Sequence, residues 1–73
     1  MATFSDRLKT LKDENNLTFR QMEEKTGVSK SAIRDWVRHG NYPNSFNLMT
    51  IAKVFDVSTD WLLGISDFRK VKR

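Results

Sequence analysis

Apolar residues recur along the chain at the three- and four-residue spacing that is typical of amphipathic helices. The first stripe consists of Phe4, Leu8 and Leu11. Ser5 is the N-cap that we expect for this helix, with Asp6 next to the positive end of the helix dipole. A second stripe lies in the latter half of the sequence and has four members: Leu48, Ile51, Ala52 and Phe55.

Polar residues with capping chemistry mark where the later helices begin. Asn44 or Ser45 can cap the helix of the second stripe, and Ser58 can cap a last short helix that carries Trp61 and Leu62. The pattern as a whole predicts an all-α fold, a compact five-helix domain over residues 1–64, followed by a basic tail or linker over residues 65–73.

The middle of the chain predicts two short helices joined by a tight turn. Thr18 and Gln21 have the spacing of a capping box at the start of the second helix. Gly27 supplies the left-handed conformation in which helices commonly end, and Ser29 can cap a third helix that runs to about His39. Helix, glycine turn and capped helix is the helix-turn-helix arrangement, which presents its second helix to the DNA major groove.

The third helix has two chemically different sides. At about 100° per residue, Ile33, Trp36 and Val37 share one side, which suits the core. The opposite side is polar and mostly cationic, with Asp35 at its edge: Lys30, Ser31, Arg34 and Arg38. We expect Trp36 and Trp61 to be core residues rather than stacking platforms for single-stranded bases, because a domain of 73 residues needs large side chains to bury.

Composition narrows the possible functions without deciding among them. The chain has no cysteine and one histidine, His39, so we expect no disulfide, no metal site and no cofactor. We find neither a suitable pair of acids nor a glycine-rich phosphate loop, so we assign no catalytic residue and place an enzyme last among the function classes. No apolar run approaches membrane-spanning length, and the expected location is the cytoplasm.

The net charge of +4 indicates an anionic partner only weakly, because it is unevenly distributed. Four basic residues and one acid at positions 65–73 account for +3 of it, which leaves about +1 for residues 1–64. We expect this segment to be mobile. It can be a nonspecific DNA clamp, a linker to a further domain or protein partner, or a solubilising tail.

Two stretches carry a recognisable order of motifs: LTFRQMEEKTGVSKSAIRDW from Leu17, and FNLMTIAKVFDVSTDWLLG from Phe46. Together they resemble the Cro/phage-repressor type of helix-turn-helix regulator, also called the xenobiotic-response-element family, over roughly Phe4 to Gly64. The resemblance implies a prokaryotic or phage regulator, repressor-like, whose second and third helices read double-stranded operator DNA. Phe19 departs from the family pattern, because a polar residue such as Gln often contacts a phosphate at this position.

Candidate DNA contacts fall into two groups. The candidates for base edges lie on the third helix, where Arg34 can fork onto guanine and Asp35 can accept a hydrogen bond from cytosine: Lys30, Ser31, Arg34 and Asp35. The candidates for phosphates flank that helix: Thr18, Phe19, Arg20, Arg38, His39, Asn41, Tyr42 and Asn44. Taken singly, such residues are usually an ordinary solvated surface, and Thr18 and Asn44 also serve as helix caps.

Four apolar residues remain once the core faces are assigned: Val54, Leu63, Ile65 and Phe68. They can join two copies about a twofold axis, which would place two reading helices about 34 Å apart on a palindromic operator. The competing interpretation is that Val54 and Ile65 only widen the core. A protein-interaction module of the same fold, such as an antirepressor or adaptor, is the second function that the sequence allows.

Overall fold

The computed structural model describes residues 2–70, which form five α-helices. Their bounds are α1 Phe4–Glu14, α2 Phe19–Thr26, α3 Lys30–His39, α4 Ser45–Phe55 and α5 Thr59–Leu62. Helix α3 packs against both α1 and α2, and α4 packs against α2 and α5. This confirms the expected all-α fold. Part of the basic segment at 65–73 lies outside the described residues, namely Val71, Lys72 and Arg73.

The start of α1 differs from the expectation, because its N-cap is Thr3 and not Ser5. The Thr3 hydroxyl accepts a hydrogen bond from the Asp6 amide at 3.3 Å, and the Asp6 carboxylate accepts one from the Thr3 amide at 3.0 Å. These two bonds complete a capping box. The Thr3 amide and the Thr3 hydroxyl, the latter at 3.2 Å, both donate to the Asp6 carboxylate and hold its pKa below its ordinary value. Ser5 lies inside the first turn, where its hydroxyl donates to the backbone carbonyl of Trp36.

The turn between α2 and α3 forms as the sequence predicts. Gly27 ends α2 at φ +76°, and its amide donates to the carbonyl of Glu23 at 2.8 Å. The buried hydroxyl of Thr26 donates to the Met22 carbonyl at 2.8 Å and accepts from the Val28 amide at 3.1 Å. One side chain therefore satisfies two backbone groups of the turn, which fixes the path from α2 into α3.

Every helix contributes to one apolar core, and both tryptophans belong to it, as expected. Trp36 and Trp61 are each 6% exposed. The buried apolar residues of the cluster are Phe4, Leu8, Leu11, Met22, Val28, Ile33, Trp36, Ile51, Ala52, Val57, Trp61 and Leu62. On α4, Ile51 and Ala52 are buried, while Leu48 and Phe55 pack against the cluster from its edge.

The segment that follows α5 folds back onto the helices as far as Lys70. The carbonyl of Arg69 accepts from the Ser58 amide at 2.8 Å, and its guanidinium lies 4.9 Å from the centre of a Trp61 ring. Both terminal nitrogens of that guanidinium, Nη1 and Nη2, donate to the Glu14 carboxylate. These bonds lower the pKa of Glu14 and raise the pKa of Arg69. Residues 65–70 therefore pack against the domain through Arg69, a contact that the sequence analysis did not predict.

Candidate nucleic-acid interface

The polar side of α3 faces outward, as the helical wheel predicts. Lys30, Ser31, Arg34 and Arg38 are all exposed, whereas Ile33 on the other side is completely buried. Val37 is half-buried beside it. Three of the four base-edge candidates thus share an accessible surface whose backbone is held from behind by the core.

Helix α1 fixes the C-terminal half of α3 from behind. The Phe4 ring meets a Trp36 ring edge-on, with 5.8 Å between ring centres and 68° between ring planes. The Trp36 carbonyl accepts hydrogen bonds from the Ser5 hydroxyl and from the Gly40 amide. An aromatic contact and a side-chain hydrogen bond therefore both restrain the position of α3 relative to α1.

Arg34 lies beside the first residue of α2. Its guanidinium carbon is 5.6 Å from the centre of the Phe19 ring, and the ammonium of Lys12 at the end of α1 is 4.7 Å from the same ring. Both distances are within the range of cation–π attraction. Phe19 itself is half-buried and packs against the edge of the core. The structure thus brings together two cations from different helices around one aromatic ring.

The fourth base-edge candidate, Asp35, is half-buried and has a partner in the loop after α3. The side-chain amide of Asn41 donates to its carboxylate at 2.6 Å. This bond restrains the Asp35 carboxylate. It also engages the side-chain amide of Asn41, which we predict to contact a phosphate, within the protein.

The remaining phosphate candidates surround α3 and differ in how they are engaged. Thr18 caps α2, and its hydroxyl accepts from the Gln21 amide at 3.1 Å. Arg20 pairs with Glu24 on the same helix at 3.3 Å. Asn44 caps α4, as expected. Three further candidates are exposed at the end of α3 and in the loop that follows: Arg38, His39 and Tyr42.

The predicted dimer residues lie on α4, at the end of α5 and in the segment after it. Ile65 is 71% exposed and Phe68 is 70% exposed, whereas Val54 and Leu63 are half-buried. The interpretation that Ile65 widens the core is therefore wrong. The four residues are therefore not a uniformly exposed patch.

Lys12 is the residue of this region that the sequence analysis missed. It lies on α1, well outside the helix-turn-helix, and its own helix gives no sign of a role at α2. No sequence signal predicts this approach, because the path of the chain after α1 depends on a contact seen only in the structure. The Leu17 amide donates to the Lys12 carbonyl at 3.0 Å.

No group of three or more His, Asp or Glu side chains within residues 2–70 is placed to hold a metal ion. Within the same range, no helix combines the length and the apolar character that crossing a bilayer requires.

Known proteins provide an independent comparison. The chain is 33% identical over 64 residues to the uncharacterized HTH-type transcriptional regulator YobD of Bacillus subtilis, and 40% identical over 61 residues to the HTH-type transcriptional activator BcrR of Enterococcus faecalis. These alignments cover 88% and 84% of this chain but only 57% and 30% of the two relatives. The chain therefore spans about a third to three fifths of the curated relatives that it matches.

Solved structures share the same fold. The P22 c2 repressor, crystallised with a synthetic operator, superimposes with a TM-score of 0.80 at 26% identity and covers 90% of this chain and all of that one. A transcriptional regulator from Listeria innocua gives a TM-score of 0.75 at 25% identity, over 97% of this chain and 62% of that one. A helix-turn-helix family model matches residues 8–62, and the chain therefore belongs to the helix-turn-helix family of the Cro/C1 type.

Proposed function

We propose that this chain binds double-stranded operator DNA in a sequence-specific manner and regulates transcription, with α3 in the major groove. The observation that carries the proposal is the joint exposure of Lys30, Ser31 and Arg34 on one side of a helix whose other side is buried. A rigid helix with short and cationic side chains on its outer face can approach base edges without strain. The operator complex of the P22 c2 repressor, which has the same fold, supports this choice.

Phosphate contacts would fix the helix in the groove. The first amides of α2, at Phe19 and Arg20, belong to a helix terminus that has no intrahelical acceptor for them, so they can donate to a phosphate. Arg38, His39 and Tyr42 lie at the other end of α3, where they can contact the backbone on the far side of the groove. These contacts position the protein, and the base-edge residues select the sequence.

The regulator would act as a homodimer on a palindromic operator. Ile65 and Phe68 are large apolar side chains that remain mostly exposed on one short segment, and that segment is held against α1 and α5 through Arg69. A second copy can cover them about a twofold axis. A DNA-binding role of this kind would be carried out in the cytoplasm, and the protein would act as a repressor where its operator blocks a promoter.

The test is the effect of Arg34→Ala on duplexes selected by the protein from a random pool. We expect a loss of about 1–3 kcal/mol, roughly 5- to 150-fold in affinity, and a relaxed preference at one base pair. An equal loss on every duplex would instead make Arg34 a phosphate contact. A protein-interaction module would give no selected sequence and no salt-dependent binding to duplex DNA, which would refute the proposal.

A further inference from the structure

Phe19 is the point at which three helices meet beneath the proposed DNA surface. It is the first residue of α2, its ring packs at the edge of the core, and two cations approach that ring. Arg34 comes from α3 at 5.6 Å, and Lys12 comes from α1 at 4.7 Å. An aromatic ring carries negative charge on its faces, so it can hold cations without neutralising them.

The two cations at Phe19 form no ion pair with an acid in the part of the chain that the structure describes. Among residues 2–70, neither Lys12 nor Arg34 forms an ion pair within 4.0 Å, whereas Arg20, one residue beyond Phe19, pairs with Glu24. A carboxylate partner would compete with DNA for the cation. A ring partner restrains the side chain and leaves its hydrogen-bond donors free for bases and phosphates.

Restraint matters most for a long side chain. An exposed arginine has many rotamers, and it loses that freedom when it binds a base. Arg38 lies one turn further along the same face of α3, and no ring contact restrains it within the described part of the chain. Arg34 therefore has less side-chain conformational entropy to lose than Arg38 when it binds DNA.

We infer that Phe19 is a positioning residue, which directs Arg34 to a base edge and Lys12 to the neighbouring phosphate. The inference rests on the proposed function, and it adds two things to it. Lys12 becomes a DNA contact supplied by α1, and part of the sequence preference depends on a side chain that touches no base.

The experiment is a double-mutant cycle on the selected operator. Phe19→Leu keeps an apolar side chain but removes the aromatic face, and Phe19→Trp keeps the face. We expect Phe19→Leu to weaken operator binding by about 2- to 5-fold, the factor that corresponds to an exposed cation–π contact, and to reduce discrimination at the Arg34 base pair by a similar factor. We expect Phe19→Trp to retain that discrimination.

Coupling distinguishes positioning from general structural damage. In an Arg34→Ala background, Phe19→Leu should cost less than its effect in the wild-type chain, because the arginine that it positions is gone. In the matched Arg38→Ala background, it should cost its full factor. If Phe19→Leu has the same cost in the wild-type, Arg34→Ala and Arg38→Ala backgrounds, Phe19 is a purely structural residue. The same conclusion follows if Phe19→Trp keeps its fold but loses discrimination at the Arg34 base pair.

The outcomes also separate this inference from the proposed function. A wild-type protein that selects no duplex would refute the function, and the inference with it. A wild-type protein that selects an operator but shows no coupling between positions 19 and 34 would refute the inference alone.

Discussion

Outside the core, Gly64 is the position at which adding one methyl group should lower the stability of the fold most. Its φ is +84°, and a Cβ added there would lie 2.1 Å from the carbonyl oxygen of Ala2 and 3.1 Å from its carbonyl carbon. Both neighbours are backbone atoms, so no side-chain rotation can relieve the clash. In Gly64→Ala, residues 2 and 3 would have to move away, and Thr3 is the residue that caps α1.

The magnitude follows from two separate costs. An alanine at positive φ costs roughly 1–2 kcal/mol, of which about 0.4–1 kcal/mol is offset because alanine restricts the unfolded chain. Displacing Thr3 removes an N-cap, which costs about 1 kcal/mol more. We expect Gly64→Ala to lose about 1–2.6 kcal/mol, a large part of the roughly 4–11 kcal/mol that a domain of this size has available.

Gly27 is the matched control. It has nearly the same φ, +76°, but a Cβ there would meet nothing within 4 Å. Gly27→Ala should therefore show the conformational cost alone, about 1 kcal/mol or less. Chemical and thermal unfolding at neutral pH measure both, and each kcal/mol corresponds to roughly 4–8 °C in melting temperature. Equal losses in the two variants would refute the close approach of residues 2–3 to Gly64.

Two further predictions concern acid and assembly. The pKa values of Asp6, Asp13 and Glu14 are all depressed in the folded chain, by bonds from Thr3, Lys9 and Arg69 respectively. These carboxylates stabilise the fold fully above their unfolded-state pKa values, and that stabilisation is lost as pH falls through their folded-state pKa values. The melting temperature should therefore drop below about pH 4.5, and it should drop less steeply in Glu14→Gln. An unchanged pH profile in that variant would contradict the Glu14–Arg69 assignment. Ile65→Lys should abolish cooperative binding to a palindromic operator while leaving half-site affinity within about twofold, since a buried charge opposes the twofold contact; undiminished cooperativity would exclude Ile65 from the interface.

The helices themselves could be predicted from the sequence because their signals are local. The two ends of α2 depend on residues within four positions of each other, namely Thr18 with Gln21 and Gly27 with Glu23. The one cap that was predicted wrongly, Ser5, also had a local answer. Asp6 stands three residues after Thr3 and completes a capping box, whereas Leu8 stands three residues after Ser5 and cannot.

The contacts that define the candidate site are not local, and the sequence could not predict them. Arg69 reaches Glu14 across 55 positions, and Ser5 reaches Trp36 across 31. A helical wheel gives the outward side of α3, but it cannot say that Arg34 will meet Phe19, because that depends on how α2 crosses α3. Which basic side chains meet an acid and which meet an aromatic ring likewise depends on how the helices pack.

Ion pairing explains how a nearly neutral domain can present a cationic face. The ion pairs among residues 2–70 engage basic residues away from α3: Arg7, Lys9, Arg20, Arg69 and Lys70. Within the same range, Lys30, Arg34 and Arg38 on α3 have no acid within 4.0 Å, and Lys12 contacts a ring instead. Charge that is compensated elsewhere contributes little to the field around the molecule, so the three unpaired cations of α3 give that helix a cationic face. Lys25 on α2 and Lys53 on α4 are the other basic residues of this range that form no ion pair. A small net charge then limits attraction to arbitrary DNA and leaves the choice of site to α3.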